Sequence, residues 1–233
     1  MSISLAQQYL KQYLQKTKPL FRAYLEKKMR EAKRIGSLPA EVLKHFAAIA
    51  ERGKKIRGAL VVLGYQLAGG KDLVSIYDAS LFIELFQAAI LVHDDIMDKD
   101  VIRRGLPALH KKYGVPLGIC AGDVAFYLSW EKLLSSNFSS DRLIRASQLY
   151  AQYVIRLAHG QVLDVKNLSF RKTSESTILN ILRFKTAEYT GVLPLLVGAT
   201  LGGMDDQKKL NSLKKFGLSL GWAFQIQDDI LGL

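Results

Sequence analysis

Three aspartates crowd one apolar stretch, Ile90-Leu91-Val92-His93-Asp94-Asp95-Ile96-Met97-Asp98. Gln87, Asp94 and Asp98 are spaced seven and four apart, which stacks them on one face of a helix. Carboxylates four residues apart repel each other. At a helix C-terminus the backbone dipole disfavours them further. Such a cluster is tolerated when cations sit against it. A second pair, Asp228-Asp229, ends the apolar run Phe224-Gln225-Ile226-Gln227, and a weaker third instance is Gly160-Gln161-Val162-Leu163-Asp164. A solvated acidic helix end would account for one such pair. Two pairs on separate apolar helices imply a metal shared between facing helices. No His or Cys stands at ligand spacing, and an all-oxygen donor set points to Mg²⁺. Magnesium held by carboxylates usually takes phosphate oxygens as its other ligands, which gives Lys54, Lys55, Arg57, Arg103, Arg104 and Lys185 a purpose.

The elements that must position these groups are helices. Residues 79–99 are apolar on every side, the pattern of a buried helix. Helical periodicity also predicts 3–33 as one helix or two interrupted near Pro19, then 40–52, 54–68, 73–99, 115–135, Asp141 to about Val165, Ser174 to about Thr200, and Asp205 to the end. No alternating run bounded by hairpin turns suggests a strand. No linker breaks the pattern, so residues 1–233 read as a single all-α domain.

Length and composition set the outer limits. With 233 residues, 49% apolar and 23% charged, the chain has enough material for a sizeable core and is not disordered in bulk. The net charge of +12 raises the question of nucleic acid. Its Lys and Arg are scattered, however, without aromatic platforms among them. The basic clusters at 27–34 and 208–215 read as solvated helix faces. A substrate rich in phosphate, or an anionic membrane surface, fits such a charge equally well. The single Cys120 suits a reducing, cytoplasmic setting and is expected in the core. The stretch Gly191–Gly203 is too short to span a bilayer, and no transmembrane segment or signal peptide is expected. His93, beside Asp94, reads as a local hydrogen-bond partner rather than a base.

Taken together, these segments resemble the trans-isoprenyl diphosphate synthases. Asp94-Asp95-Ile96-Met97-Asp98 followed by Arg103-Arg104-Gly105 is similar to that family's first aspartate-rich motif. Gly53-Lys54-Lys55-Ile56-Arg57 resembles its Gly-Lys-x-x-Arg segment, Gly160-Gln161-x-x-Asp164 its Gly-Gln-x-x-Asp, and Phe184-Lys185-Thr186 its Lys-Thr motif. Phe224-Gln225-Ile226-Gln227-Asp228-Asp229 resembles its second aspartate-rich motif, with Gly232 in place of the last aspartate. The resemblance runs from about residue 53 to the end, and the chain stops where the family normally continues with further helices.

The resemblance implies a bundle of long, mostly antiparallel helices around a central cavity, and a homodimer. It also implies Mg²⁺-dependent head-to-tail condensation of isopentenyl diphosphate with an allylic diphosphate. Asp94, Asp95, Asp98 and Asp228 would then be the metal residues, with Asp95 and Asp164 in supporting positions. Arg103 and Lys185 would grip the allylic diphosphate. Lys54, Arg57, Arg104 and Gln87 would take isopentenyl diphosphate. Thr186 and Gln225 would face the allylic cation. In family members that stop at farnesyl or, in some groups, geranylgeranyl, a bulky aromatic often stands four or five positions before the first aspartate. Here those positions hold Ile90 and Ala89, and Phe86, with Phe82 below it, comes about one turn (5.4 Å) deeper. A geranylgeranyl or longer product is the expectation. A partner-dependent subunit of a heteromeric synthase is the alternative.

Overall fold

The computed structural model of the chain describes residues 4–167 and 174–232. Helix α1 spans Leu5–Ile35 and starts on a cap that is legible in the sequence. Ser4 Oγ accepts from Gln7 N–H at 3.3 Å, and Gln7 Oε1 accepts from Ser4 N–H at 2.9 Å. Pro19 does not divide this helix. Pro19 and Gln15, whose carbonyl would have taken the missing N–H, both lie on the exposed side, so the lost bond is on the wet face. Tyr13, Thr17, Phe21, Leu25 and Lys28 form the buried stripe. The burial of Lys28 corrects the reading of 27–34 as a solvated face. Its ammonium reaches Glu31 at 2.8 Å and Glu131 on α7 (Val115–Leu134), a pairing no local pattern announces.

The chain packs as two compact units, one made of residues up to Ala59 with Tyr77–Ser136, the other of Leu60–Ile76 with the chain from Asn137 onward. In the first unit α1 packs on α2 (Ser37–Ala50), and α5 (Leu81–Met97) packs along α7. Phe21, Leu25, Phe46, Leu85, Ala88 and Ala125 belong to the core they share. The helix expected over 73–99 is two, α4 (Leu73–Ala79) and α5, broken at the fully buried Ser80. Its hydroxyl donates to Tyr77 O at 2.8 Å and is bonded to Tyr13 Oη at 2.9 Å.

After α5 comes a hairpin that the sequence reading missed. β1 (Ile102–Arg103) pairs antiparallel with β2 (Leu106–Pro107) around Arg104-Gly105. Both turn residues have positive φ, 52° and 74°, as a tight two-residue hairpin turn requires. Strands of two residues carry no periodicity, so nothing in the pattern could reveal them. The short α6 (Leu109–Tyr113) follows and leads into α7.

The second unit contains α8 (Ser140–Asn167), α9 (Glu175–Ile181), a π-helix (Leu182–Val192), α10 (Leu193–Leu201) and α11 (Gln207–Gly232). Ser174 caps α9 by accepting from Thr177 N–H at 3.2 Å, and Asp206 caps α11 through Lys208 N–H at 2.9 Å. The helix expected over 174–200 therefore has a π-helical middle. The fold class is all-α as expected. Among the described residues, Leu73–Met97 is the one stretch long and apolar enough to cross a membrane by length and composition, and 72% of its apolar window is buried inside the protein.

Candidate active site

The expected site residues fall into two groups, one in each unit. In the first unit, α5 delivers Asp94, half-buried, and Asp98, exposed, at its C-terminal turn. Asp98 N–H donates to Asp94 O at 2.8 Å, so the two carboxylates are separated by one closed helical turn. The last turn of α5 has no basic residue. The compensating cation comes from the hairpin: Arg103 donates from Nε to Asp95 Oδ1 and from Nη2 to Asp100 Oδ2, both at 2.6 Å.

Of the two places that the resemblance implies for Asp95, metal residue and supporting group, its surroundings fit the second: it is only 2% exposed and turned inward onto Arg103. Burial raises its carboxyl pKa above the ordinary value, against the pull of Arg103. Asp95 therefore anchors Arg103, which ties the hairpin to the end of α5. The half-buried Asp94, whose Oδ1 is shielded from solvent, and the exposed Asp98 remain as the candidate donors. The Asp98 carboxylate has no hydrogen bond or ion pair among the described residues. Two oxygen donors a turn apart, with no nearby thiolate, fit a hard divalent cation such as Mg²⁺. Among the described residues no three acidic, His or Cys side chains converge into a closed metal cage. A cation there would need oxygens from a ligand as well. His93 is aimed at α7, where Nε2 lies 3.3 Å from Ile119 O and 3.5 Å from Asp123, as expected of a local partner.

The Gly53–Arg57 segment is stitched to the hairpin turn. Arg104 Nη1 donates to Ile49 O at 3.1 Å and to Arg52 O, and Arg52 Nη1 donates back to Arg104 O at 2.7 Å. Gly53, at φ 117°, lies so close that an added Cβ would meet the Arg104 guanidinium at 2.9 Å. Arg104, expected to grip a diphosphate, thus devotes Nη1 to the carbonyls at the end of α2, which has no basic residue in its own last turn. Lys54 is exposed, and Arg57 is half-buried on the first turn of α3 (Ile56–Leu67). Lys55, between them, is turned inward with φ 55° and is 9% exposed. Its ammonium donates to Ala50 O, lies 4.4 Å over the Phe21 ring, and sits 3.7 Å from Glu84. Burial lowers its pKa, and Glu84 opposes that shift. Glu84 itself accepts from Gly58 N–H at 2.8 Å. It was absent from the expected set, although a lone carboxylate among Leu81, Phe82, Ile83 and Leu85 was the signal that could have found it.

Gln87 is half-buried on α5, with Ile90 half-buried one turn on. Ala89 and Phe86 are each 1% exposed, and the Phe86 ring meets Phe126 of α7 at 5.4 Å between centroids. Cys120, expected in the core, is exposed on α7 and lines an apolar cavity of about 290 Å³ between α1, α2 and α7.

In the second unit two of the sequence motifs form one contact. Lys185, on the π-helix, is ion-paired to Asp164 of α8 at 2.5 Å. Gly160 permits it: a Cβ there would come within 2.6 Å of Lys185 N. Phe184 is flanked by the guanidinium groups of Arg156 and Arg183, 5.2 and 5.3 Å from its ring. Both arginines converge on Glu188, which is 2% exposed. These contacts hold a stretch whose i→i+5 winding is otherwise rare and recurs at functional sites. Thr186 is half-buried beside Lys185. On α11, Gln225 is half-buried and Asp228 exposed, while the side chain of Asp229 lies outside the described residues.

The polyprenyl synthetase family model matches residues 39–233. A geranylgeranyl diphosphate synthase of Sulfolobus acidocaldarius is 34% identical over 200 residues, which is 85% of this chain and 60% of that protein. A geranylfarnesyl diphosphate synthase of Natronomonas pharaonis is 35% identical over 162 residues, 70% of this chain and 47% of that one. The chain thus spans roughly half to three-fifths of the length of these relatives. Among solved structures, a geranylgeranyl pyrophosphate synthase from Corynebacterium glutamicum, complexed with isoprenyl diphosphate and magnesium, superposes with a TM-score of 0.89 at 28% identity, over 96% of this chain and 69% of that one.

Proposed function

This chain belongs to the polyprenyl synthetase family, and from that premise we propose that it condenses isopentenyl diphosphate head-to-tail with an allylic diphosphate to give a prenyl diphosphate of geranylgeranyl type. The observation that carries the reading is the knot in the first unit: the Asp94–Asp98 turn, tied through Arg103 to the hairpin whose next residue, Arg104, is laced to the Lys54–Arg57 segment. It puts a carboxylate turn and a cationic segment on one rigid frame, as a diphosphate and its counter-cation require.

In the first unit Asp94 and Asp98 would hold Mg²⁺, with Asp95 supporting through Arg103; in the second unit Asp228 of α11 is the candidate metal residue. The cation, when bound, supplies Lewis-acid neutralisation of the negative charge that grows on a departing diphosphate. For the allylic diphosphate, the first unit offers Arg103, and the second unit offers Lys185, oriented by Asp164. Lys54, Arg57 and Gln87 bind isopentenyl diphosphate, and Arg104 orders their segment. Once the allylic carbon–oxygen bond breaks, the isopentenyl double bond attacks the allylic cation and a proton leaves. Thr186 and Gln225 offer neutral oxygen dipoles that stabilise the cation without capturing it. Phe86, backed by Phe126, closes the path of the growing chain. The products for which these relatives are named support a chain longer than farnesyl. Exposed apolar residues along α7, Val124 at 49% and Tyr127 at 70% among them, support a homodimer. The single Cys is consistent with a cytoplasmic setting.

The test is incubation of the purified chain with isopentenyl diphosphate, an allylic starter and MgCl₂, with mass spectrometry of the dephosphorylated alcohols. Geranylgeraniol is the expected product. Unchanged starters under conditions where a full-length relative turns over would reject the reading.

A further inference from the structure

The segment that carries Lys54 and Arg57 is held at both ends. Arg104 pins it at Gly53, as described above. At the far end, Gly58 N–H donates to Glu84 Oε1 at 2.8 Å, which satisfies one of the unpaired donors at the start of α3. A side chain at Gly58 is excluded, because its Cβ would fall 1.9 Å from Tyr13 Oη and 3.3 Å from Glu84 Cγ. Between these pins Lys55 adopts a left-handed conformation and turns its ammonium inward, towards Glu84 Oε2 at 3.7 Å and the Ala50 carbonyl. The residues on either side are left facing outward or half-outward.

Fold stability alone gives no reason for this arrangement. Glu84 is 4% exposed and Lys55 9%. Taking two such charges out of water costs about as much as their attraction returns, and an apolar pair of similar shape is often at least as stable. What the pair does fix is geometry. Glu84 stands ten residues before Asp94 on the same helix, about 15 Å along its axis. It therefore ties the cationic segment directly to the element that carries Asp94 and Asp98.

We propose that Glu84 and Lys55 form a positioning pair that sets where Lys54 and Arg57 stand relative to Asp94 and Asp98, and so governs affinity for isopentenyl diphosphate without touching it. The inference rests on the function proposed above. Glu84→Gln keeps an oxygen for Gly58 N–H and removes the charge that faces Lys55. The expected result is a rise in KM for isopentenyl diphosphate on the order of tenfold, since small displacements of a gripping group are costly. The allylic KM and kcat should stay within about twofold of wild type. The charge-free double variant Glu84→Gln/Lys55→Met, which keeps an oxygen for Gly58 N–H, should stay close to the wild-type melting temperature and show the same selective rise. It guards against a single variant failing only because a lone charge is left buried. Equal changes in both KM values, or a loss of kcat that tracks a fall in melting temperature, would overturn the proposal.

A second readout does not depend on turnover. Calorimetric titration with inorganic pyrophosphate should show binding weakened about tenfold in Glu84→Gln, as in Lys54→Ala. If wild type binds pyrophosphate but condenses nothing, the functional reading fails while this result still supports the positioning pair. Unchanged pyrophosphate affinity in Glu84→Gln would overturn the pair whatever the activity.

Discussion

Removing the ring of Phe86 should lengthen the product and destabilise the protein, and both effects follow from its surroundings. Phe86 is 1% exposed, and its ring meets that of Phe126 at 5.4 Å with the planes tilted by 59°. Phe86→Ala deletes a buried aromatic and its partnered contact, at a cost of about 3–5 kcal/mol. For a chain of this size that corresponds to a fall in melting temperature of roughly 6–20 °C. The space vacated by the phenyl ring is similar to that filled by one isoprene unit, and it opens a further turn, about 5.4 Å, along α5 towards Phe82. The principal product should therefore grow by one unit, with Phe82, fully buried below, as the next barrier. Ala89→Phe, one turn nearer Asp94, should do the opposite and shorten the product. Because Ala89 is also 1% exposed, it should carry an overpacking cost of about 1–3 kcal/mol. Product distributions come from chromatography of the dephosphorylated alcohols, and stabilities from thermal denaturation followed by circular dichroism. If Phe86→Ala lost stability by the expected amount yet made the wild-type product distribution, the ring would be a packing element only and the floor would lie on another helix.

Asp94→Ala and Asp228→Ala should each cut turnover by orders of magnitude while the helical circular dichroism spectrum is retained, and activity that survives EDTA would refute the metal requirement. Lys54→Ala should raise KM for isopentenyl diphosphate well above any change in the allylic KM; its exposure predicts a stability change within about 0.5 kcal/mol, which a melt will check. Pro19→Ala should raise the melting temperature, because an exposed proline inside α1 forgoes a backbone hydrogen bond that alanine restores, by about 1–3 kcal/mol. A lower melting temperature would mean that the proline ring is itself a packing element.

What the sequence determined by itself were features written in local pattern. Apolar periodicity marked every long helix, because a stripe that must be buried repeats with the helical turn. Both aspartate clusters and the basic segment between Gly53 and Arg57 were legible for the same reason: charge inside or at the end of an apolar run is costly unless something answers it. The sequence could not say what answers it, since the partners are far apart along the chain. Asp95 turned inward because Arg103 arrives on a hairpin whose two-residue strands have no period to detect. Lys28 left the solvent because Glu131 stands on a helix about a hundred residues away. Cys120, apolar enough for a core, stayed exposed because α1 and α2 leave an open cavity beside its face of α7 instead of packing onto it. The helix over 73–99 broke at Ser80 where Tyr13 of α1 comes within bonding distance of its hydroxyl. Local sequence sets which backbone conformations and burial patterns are cheap. Which carboxylate remains free for chemistry, and which becomes an anchor, is an electrostatic choice that only tertiary packing makes, by deciding which charges share one small volume of low dielectric.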